Sequence, residues 1–125
     1  MDKVVHFELV ADDVERAKKF YGETFGWKMN DVPDMSYTMV HTAPTDEKGM
    51  MQEPGAINGG LMKRQAPWTT PIIVINVDDL DAATEKVKQN GGEVVKERMP
   101  VGEMGFVAYF KDPEGNLMGL WQNKK

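Results

Sequence analysis

From Val4 to Ala11 the side chains alternate, with Val5, Phe7, Leu9 and Ala11 on one side and His6, Glu8 and Val10 on the other. A period of two predicts a strand. Its uniformly apolar side should meet a helix layer, and the side carrying a histidine and a carboxylate should face solvent or a polar recess. After Asp12-Asp13 the period changes. Val14, Ala17, Phe20, Tyr21 and Phe25 recur at helical spacing and predict a helix with these residues as its buried stripe. Asp12 or Asp13 serves as the cap, Glu15 stands where a capping box on Asp12 would place it, and Gly26 is the stop.

The pattern beyond this point predicts strands and loops in turn. Trp27-Lys28-Met29 enters a strand, Asp31 to Ser36 is a loop, and Tyr37 to Thr42 is a strand. Pro44 to Pro54 is a polar loop. Ala56 to Lys63 is a glycine-rich strand in which Gly59-Gly60 marks a bulge or a close backbone approach. Gln65 to Thr70 reads as a linker. Ile72 to Val77 is a continuous apolar strand, expected to be covered on both faces except at Asn76. Asp78-Asp79 caps a second helix with Leu80, Ala83 and Val87 inside, ending at Asn90-Gly91-Gly92. Glu93 to Lys96 reads as a short strand, Met99 to Gly105 as a loop and Phe106 to Phe110 as a strand. Asp112-Pro113-Glu114-Gly115 has the chemistry of a tight turn before a strand over Asn116 to Gln122. The tail Asn123-Lys124-Lys125 is expected to fray.

The two halves are copies. A shift of sixty-six residues lays His6 on Ile72, Leu9 on Ile75, Asp12-Asp13 on Asp78-Asp79, Ala17 on Ala83 and Phe25-Gly26 on Gly91-Gly92. Two copies at so long a period are a duplicated supersecondary unit rather than a solenoid. Each reads as strand, helix and three strands.

Composition narrows the function. The chain has 125 residues, enough for one domain with its own core, and 15 basic against 20 acidic residues give a net charge of −5. Nucleic acid and anionic membrane both need clustered positive charge, so neither is an expected partner. Without cysteine there is no disulfide, thiolate metal site or cysteine nucleophile. The charged start at Asp2 and Lys3 lacks an apolar secretory core, and no apolar run approaches membrane-spanning length. Cytoplasmic residence is therefore expected.

The chain resembles the vicinal oxygen chelate superfamily of glyoxalases, bleomycin-resistance proteins and extradiol dioxygenases. The resemblance rests on His6-Phe7-Glu8, Asp12-Asp13, Glu15-Arg16-Ala17, Phe20-Tyr21 and Phe25-Gly26-Trp27 in the first half. Val77-Asp78-Asp79-Leu80-Asp81-Ala82-Ala83, Gly91-Gly92, Asp112-Pro113-Glu114-Gly115-Asn116 and Gly119-Leu120 carry it through the second. It implies an α+β fold, two tandem βαβββ modules forming half-barrels around a cleft, within one domain over 1–125. Module one would span about 1–64, the linker about 65–70 and module two about 71–123. A homodimer is also implied.

In metal-dependent members, one ligand comes from the first strand and one from the last strand of each module. Carried over by position, His6 occupies the first site, Ile72 its second-module counterpart and Gly119 the final-strand site. The remaining site falls within Gly59-Gly60-Leu61-Met62. One strong donor does not hold a divalent ion, since catalytic sites need about three. No cofactor is therefore expected.

Two readings follow. In the first, the chain binds a small apolar or aromatic molecule through Tyr37, Met62, Trp68, Ile72, Val74, Tyr109, Leu117 and Trp121, without a metal. In the second it is a lyase, isomerase or dioxygenase with a site rearranged around His6 and Glu8, helped by His41 or Glu103. The Cα atoms of His6 and Glu8 should lie roughly 6–7 Å apart on one strand face, close enough to share a ligand or a proton.

Overall fold

The computed structural model describes residues 1–124. These form a mixed α+β chain of eight strands and two helices, divided into two compact units. One unit is His6–Pro71. The other runs from Ile72 onward and includes Met1–Val5.

The His6–Pro71 unit takes most of β1 (Lys3–Ala11), then α1 (Val14–Phe25), β2 (Lys28–Val32), β3 (Tyr37–His41) and β4 (Asn58–Lys63). Its strand order is β2-β3-β4-β1. β1 runs parallel to β4, and β3 is antiparallel to both its neighbours. Of the first Asp pair, Asp13 is the cap, accepting from the Arg16 N–H at 3.0 Å. Asp12 instead pairs with Arg64. Gly26 stops the helix with φ +75°, a backbone conformation that disfavours a side chain.

Phe7, Leu9, Val14, Ala17, Trp27 and Met29 pack around buried Ala11, Val40 and Leu61. The predicted stripe is corrected at its larger members: Phe20 is 55% and Phe25 59% exposed. Small Ala17 and branched Val14 sit against the strands, while the larger rings collect on one another. Tyr21 stacks on Trp27 at 5.1 Å, and Phe20 meets Tyr21 edge-on.

The second unit contains β5 (Ile72–Asn76), α2 (Leu80–Gln89), β6 (Glu93–Val101), β7 (Gly105–Lys111) and β8 (Leu117–Asn123), in strand order β5-β8-β7-β6. Asp79 caps α2 by accepting from the Ala82 N–H. Val77, Leu80, Ala108 and Leu120 form the core, with Ile75, Ala83, Val87, Phe106 and Phe110 around them. The turn at Asp112 forms as expected, with Gly115 at φ +85° donating to the Asp112 carbonyl.

Three expectations in this unit need correction. Ile73 is 47% exposed, so β5 is not covered on both faces. The strand predicted over Glu93 to Lys96 continues to Val101, leaving only a short turn before β7. The strand thus takes in the first residues of the expected Met99 to Gly105 loop, Pro100 included, because β6 is the edge of this unit's strand order, where a missing ladder donor is tolerated. Finally, Asn123 belongs to β8 and the Lys124 N–H bonds the Met104 carbonyl, so these tail residues are anchored. Lys125 lies outside the described residues.

Candidate functional site

Strand register decides which side chains share a face. In the His6–Pro71 unit, Glu8 stands opposite Gly60, Gly60 opposite Met39, and Tyr37 opposite Met62. His6, Glu8, Gly60, Met62, Tyr37 and Met39 therefore share the face away from α1. Tyr37 reaches from β3 across Gly60 to β1. Its hydroxyl donates to the Glu8 carboxylate at 2.8 Å and lies 3.0 Å from His6 Nε2.

Gly60 makes this crossing feasible, because a Cβ on residue 60 would coincide with the Tyr37 hydroxyl. The predicted close approach at Gly59-Gly60 is thus real, and Gly59 serves a separate one beneath the Phe7 ring. Glu8 is buried, and His6 and Tyr37 are partly buried. Burial pushes the His6 imidazole down from 6.5 to about 4, so it is neutral at physiological pH.

The corresponding face of the second unit is built differently. Val74 stands opposite Gly119, and Gly119 opposite Tyr109. A Cβ on Gly119 would meet Val74 at 3.0 Å and Tyr109 at 3.4 Å, so branch and ring close over the glycine. Ile72, Val74, Tyr109 and Leu117 are all buried. Trp121 is partly exposed, lies over Gly105 and donates from its indole N–H to Asn123. Asn123 in turn donates to Asn76, the lone polar residue of β5.

The structure thus joins His6, Glu8 and Tyr37 directly, with Met62 beside Tyr37. Ile72, Val74, Tyr109, Leu117 and Trp121 share a face of the second unit. Trp68 sits in the turn that follows β4, where the Gln65 N–H bonds the Trp68 carbonyl. The residues proposed to assist His6 and Glu8 do not join them. His41 is four residues from Tyr37 along β3 and contacts Asn30 at 3.3 Å, while Glu103 pairs with Lys124.

Sequence reading placed Tyr37 only as a pocket wall and missed its link to both polar residues. It also missed Asn58, opposite His6, whose side-chain oxygen accepts from the Thr42 and Ala43 N–H groups and ties down the start of the following loop. The available signal was the glycine pair, since a glycine on a strand announces that something passes over it.

The repeat also aligns the metal-ligand positions. Glu8 and Val74 are equivalent under the sixty-six-residue shift, and their partners are Gly60 and Gly119. The last-strand site of the first module is therefore Gly60. Neither glycine nor Ile72 offers an electron pair, and His6 Nε2 is already engaged with Tyr37. Among the described residues, no three His, Cys, Asp or Glu side chains gather as a metal cluster. This donor set does not fit a divalent ion.

Comparison with known proteins agrees with the architecture. The model of the glyoxalase/bleomycin resistance protein/dioxygenase superfamily matches residues 3–120. The chain belongs to that superfamily. It is 33% identical over 116 residues to the putative glyoxylase CFP32 of Mycobacterium bovis, covering 92% of this chain but 43% of that protein. The chain thus spans less than half the length of this relative. It is 30% identical to the probable lactoylglutathione lyase of Vibrio parahaemolyticus, covering 98% of this chain and 92% of the relative. Streptomyces coelicolor methylmalonyl-CoA epimerase, solved with 2-nitronate-propionyl-CoA, shares the fold at TM-score 0.69 and 16% identity, with 98% of each chain covered. No helix among the described residues is long and apolar enough to cross a membrane.

Proposed function

We propose that this chain is a metal-independent member of the superfamily that binds a small apolar or aromatic molecule. One observation carries the reading. The Tyr37 hydroxyl, seated over Gly60, engages both His6 and Glu8, so the polar positions of the first module are bonded to each other rather than held open for an ion. Each unit holds apolar side chains suited to a planar or aliphatic ligand body, Tyr37, Met62 and Trp68 in the first and Ile72, Val74, Leu117, Tyr109 and Trp121 in the second. A homodimer is the expected assembly.

The test is elemental analysis of protein prepared without chelators or nickel resin, together with Trp fluorescence titration against a panel of aromatic and aliphatic carbonyl compounds. Stoichiometric metal that disappears in His6→Ala would overturn the reading. Metal-free protein with saturable quenching would support it.

A second reading is favoured by the same three residues. A hydrogen-bonded histidine, tyrosine and glutamate are a credible acid–base set, and one relative is named a probable lactoylglutathione lyase. Under that reading His6→Ala abolishes turnover of the substrate, and unchanged kinetics would exclude it.

A further inference from the structure

We propose that His6, Tyr37 and Glu8 form a directed proton relay in which Tyr37 fixes the His6 tautomer and makes it a general base without a metal. The inference rests on reading this face as the ligand-facing one.

Hydrogen-bond counting supplies the argument. A phenol has one proton, and the Tyr37 hydroxyl gives it to Glu8 at 2.8 Å. At 3.0 Å from the same oxygen, His6 Nε2 must then be the donor. The imidazole is thereby held as the Nε2–H tautomer, with the basic lone pair on Nδ1. Gly60 keeps the oxygen at that crossing, since any side chain there would displace it.

Burial disfavours an imidazolium on His6. Proton uptake at Nδ1 is then favoured when the Nε2 proton leaves at the same time, and the Tyr37–Glu8 pair supplies that exit. As Nδ1 takes a proton from a ligand, the Nε2 proton passes to the Tyr37 oxygen and the Tyr37 proton passes to Glu8. The histidine ends neutral in its other tautomer, the tyrosine is unchanged, and Glu8 becomes a carboxylic acid. One proton has crossed the cluster, and the negative charge of Glu8 now resides on the deprotonated ligand. Imidazole is the catalytic group here, and Tyr37 and Glu8 are positioning residues that act through it.

The first test needs no ligand. Long-range proton–nitrogen NMR of nitrogen-15-labelled protein at neutral pH should show His6 protonated on Nε2, and Tyr37→Phe should lose that selection and give mixed tautomers. A wild-type imidazole protonated on Nδ1, or one with the same tautomer in Tyr37→Phe, overturns the relay and leaves the binding reading standing. Metal bound at His6 would overturn the binding reading first.

The second test uses nitrobenzisoxazole, whose ring opens when a base removes its carbon-bound proton and the N–O bond breaks to give a cyanophenolate. Wild type should open it roughly 100-fold faster than His6→Ala. Tyr37→Phe, Glu8→Gln and their double variant should lose rate to a similar extent, because they interrupt one path. Ring opening no faster than in His6→Ala, or Glu8→Gln as fast as wild type, overturns the proposal.

Discussion

The two units present the same strand arrangement and fill its equivalent face in opposite ways. On the first, β1 sets His6 and Glu8 beside a β4 glycine, and Tyr37 ties them into a polar cluster. On the second, β5 sets Ile72 and Val74 beside a β8 glycine, and the buried ring of Tyr109 closes over it. The register pairs Glu8 with Gly60 just as it pairs Val74 with Gly119. Backbone geometry therefore survives while the side-chain chemistry diverges. A duplicated scaffold of this kind can keep one polar face for chemistry or recognition and turn the other over to apolar contact.

Substitutions on the two faces test that contrast. The largest effect is expected on the apolar side. Ile72 is 1% exposed, and Ile72→Ala should cost about 3 kcal/mol in urea unfolding through lost burial and the cavity left behind. A cost below about 1 kcal/mol would mean that this face is loosely packed.

Next comes pH. Burial lowers the folded pKa of His6 from 6.5 to about 4, so between those values the unfolded chain binds the proton and the folded chain does not. His6 should therefore leave stability constant above pH 6.5 and remove it as pH falls toward 4, by on the order of 3 kcal/mol. Unfolding curves at pH 7 and pH 4.5 should show a smaller loss in His6→Gln than in wild type. Equal losses in both proteins would contradict burial of the imidazole.

Gly60→Ala should follow, at about 2 kcal/mol, because the added methyl meets the Tyr37 hydroxyl and one of them must move. Gly119→Ala contacts Val74 and Tyr109 at 3.0 and 3.4 Å and should cost less. The reverse order in chemical denaturation would mean that the polar cluster yields more easily than the apolar one. Tyr37→Phe removes the hydroxyl shared by His6 and Glu8 and should cost about 1–2 kcal/mol by the same measurement. Smallest is Phe20→Ser on α1. With Phe20 55% exposed, the change should stay within about 0.5 kcal/mol in a thermal melt.

Much of the architecture was legible in the residues. Alternation in β1, helical spacing after Asp13 and the turn at Asp112 are local signals, set by side-chain direction and by the backbone needs of caps and turns. Legibility failed where a residue's surroundings come from elsewhere in the chain. Phe20 and Phe25 have the spacing of a buried stripe, yet spacing does not say how much strand surface lies beneath the helix. Met99 to Val101 read as the start of a loop, yet they extend β6, an edge strand on which Pro100 is tolerated. In the candidate site, His6 and Glu8 were recognisable because they lie two residues apart on one strand. Their connector is Tyr37, 29 residues from Glu8, and only the β3–β4 register brings it across Gly60.

By itself the sequence determined the duplicated strand–helix–strand plan, the superfamily, and the absence of donors at Ile72 and Gly119, because these follow from residue type and order. Tertiary structure alone decided that the first module's last-strand position is Gly60, that Tyr37 passes over it, and that His6 and Glu8 are one hydrogen-bonded unit. Those facts depend on which residues stand opposite one another across strands far apart in the chain, and a one-residue slip in register would send every one of these side chains to the other face.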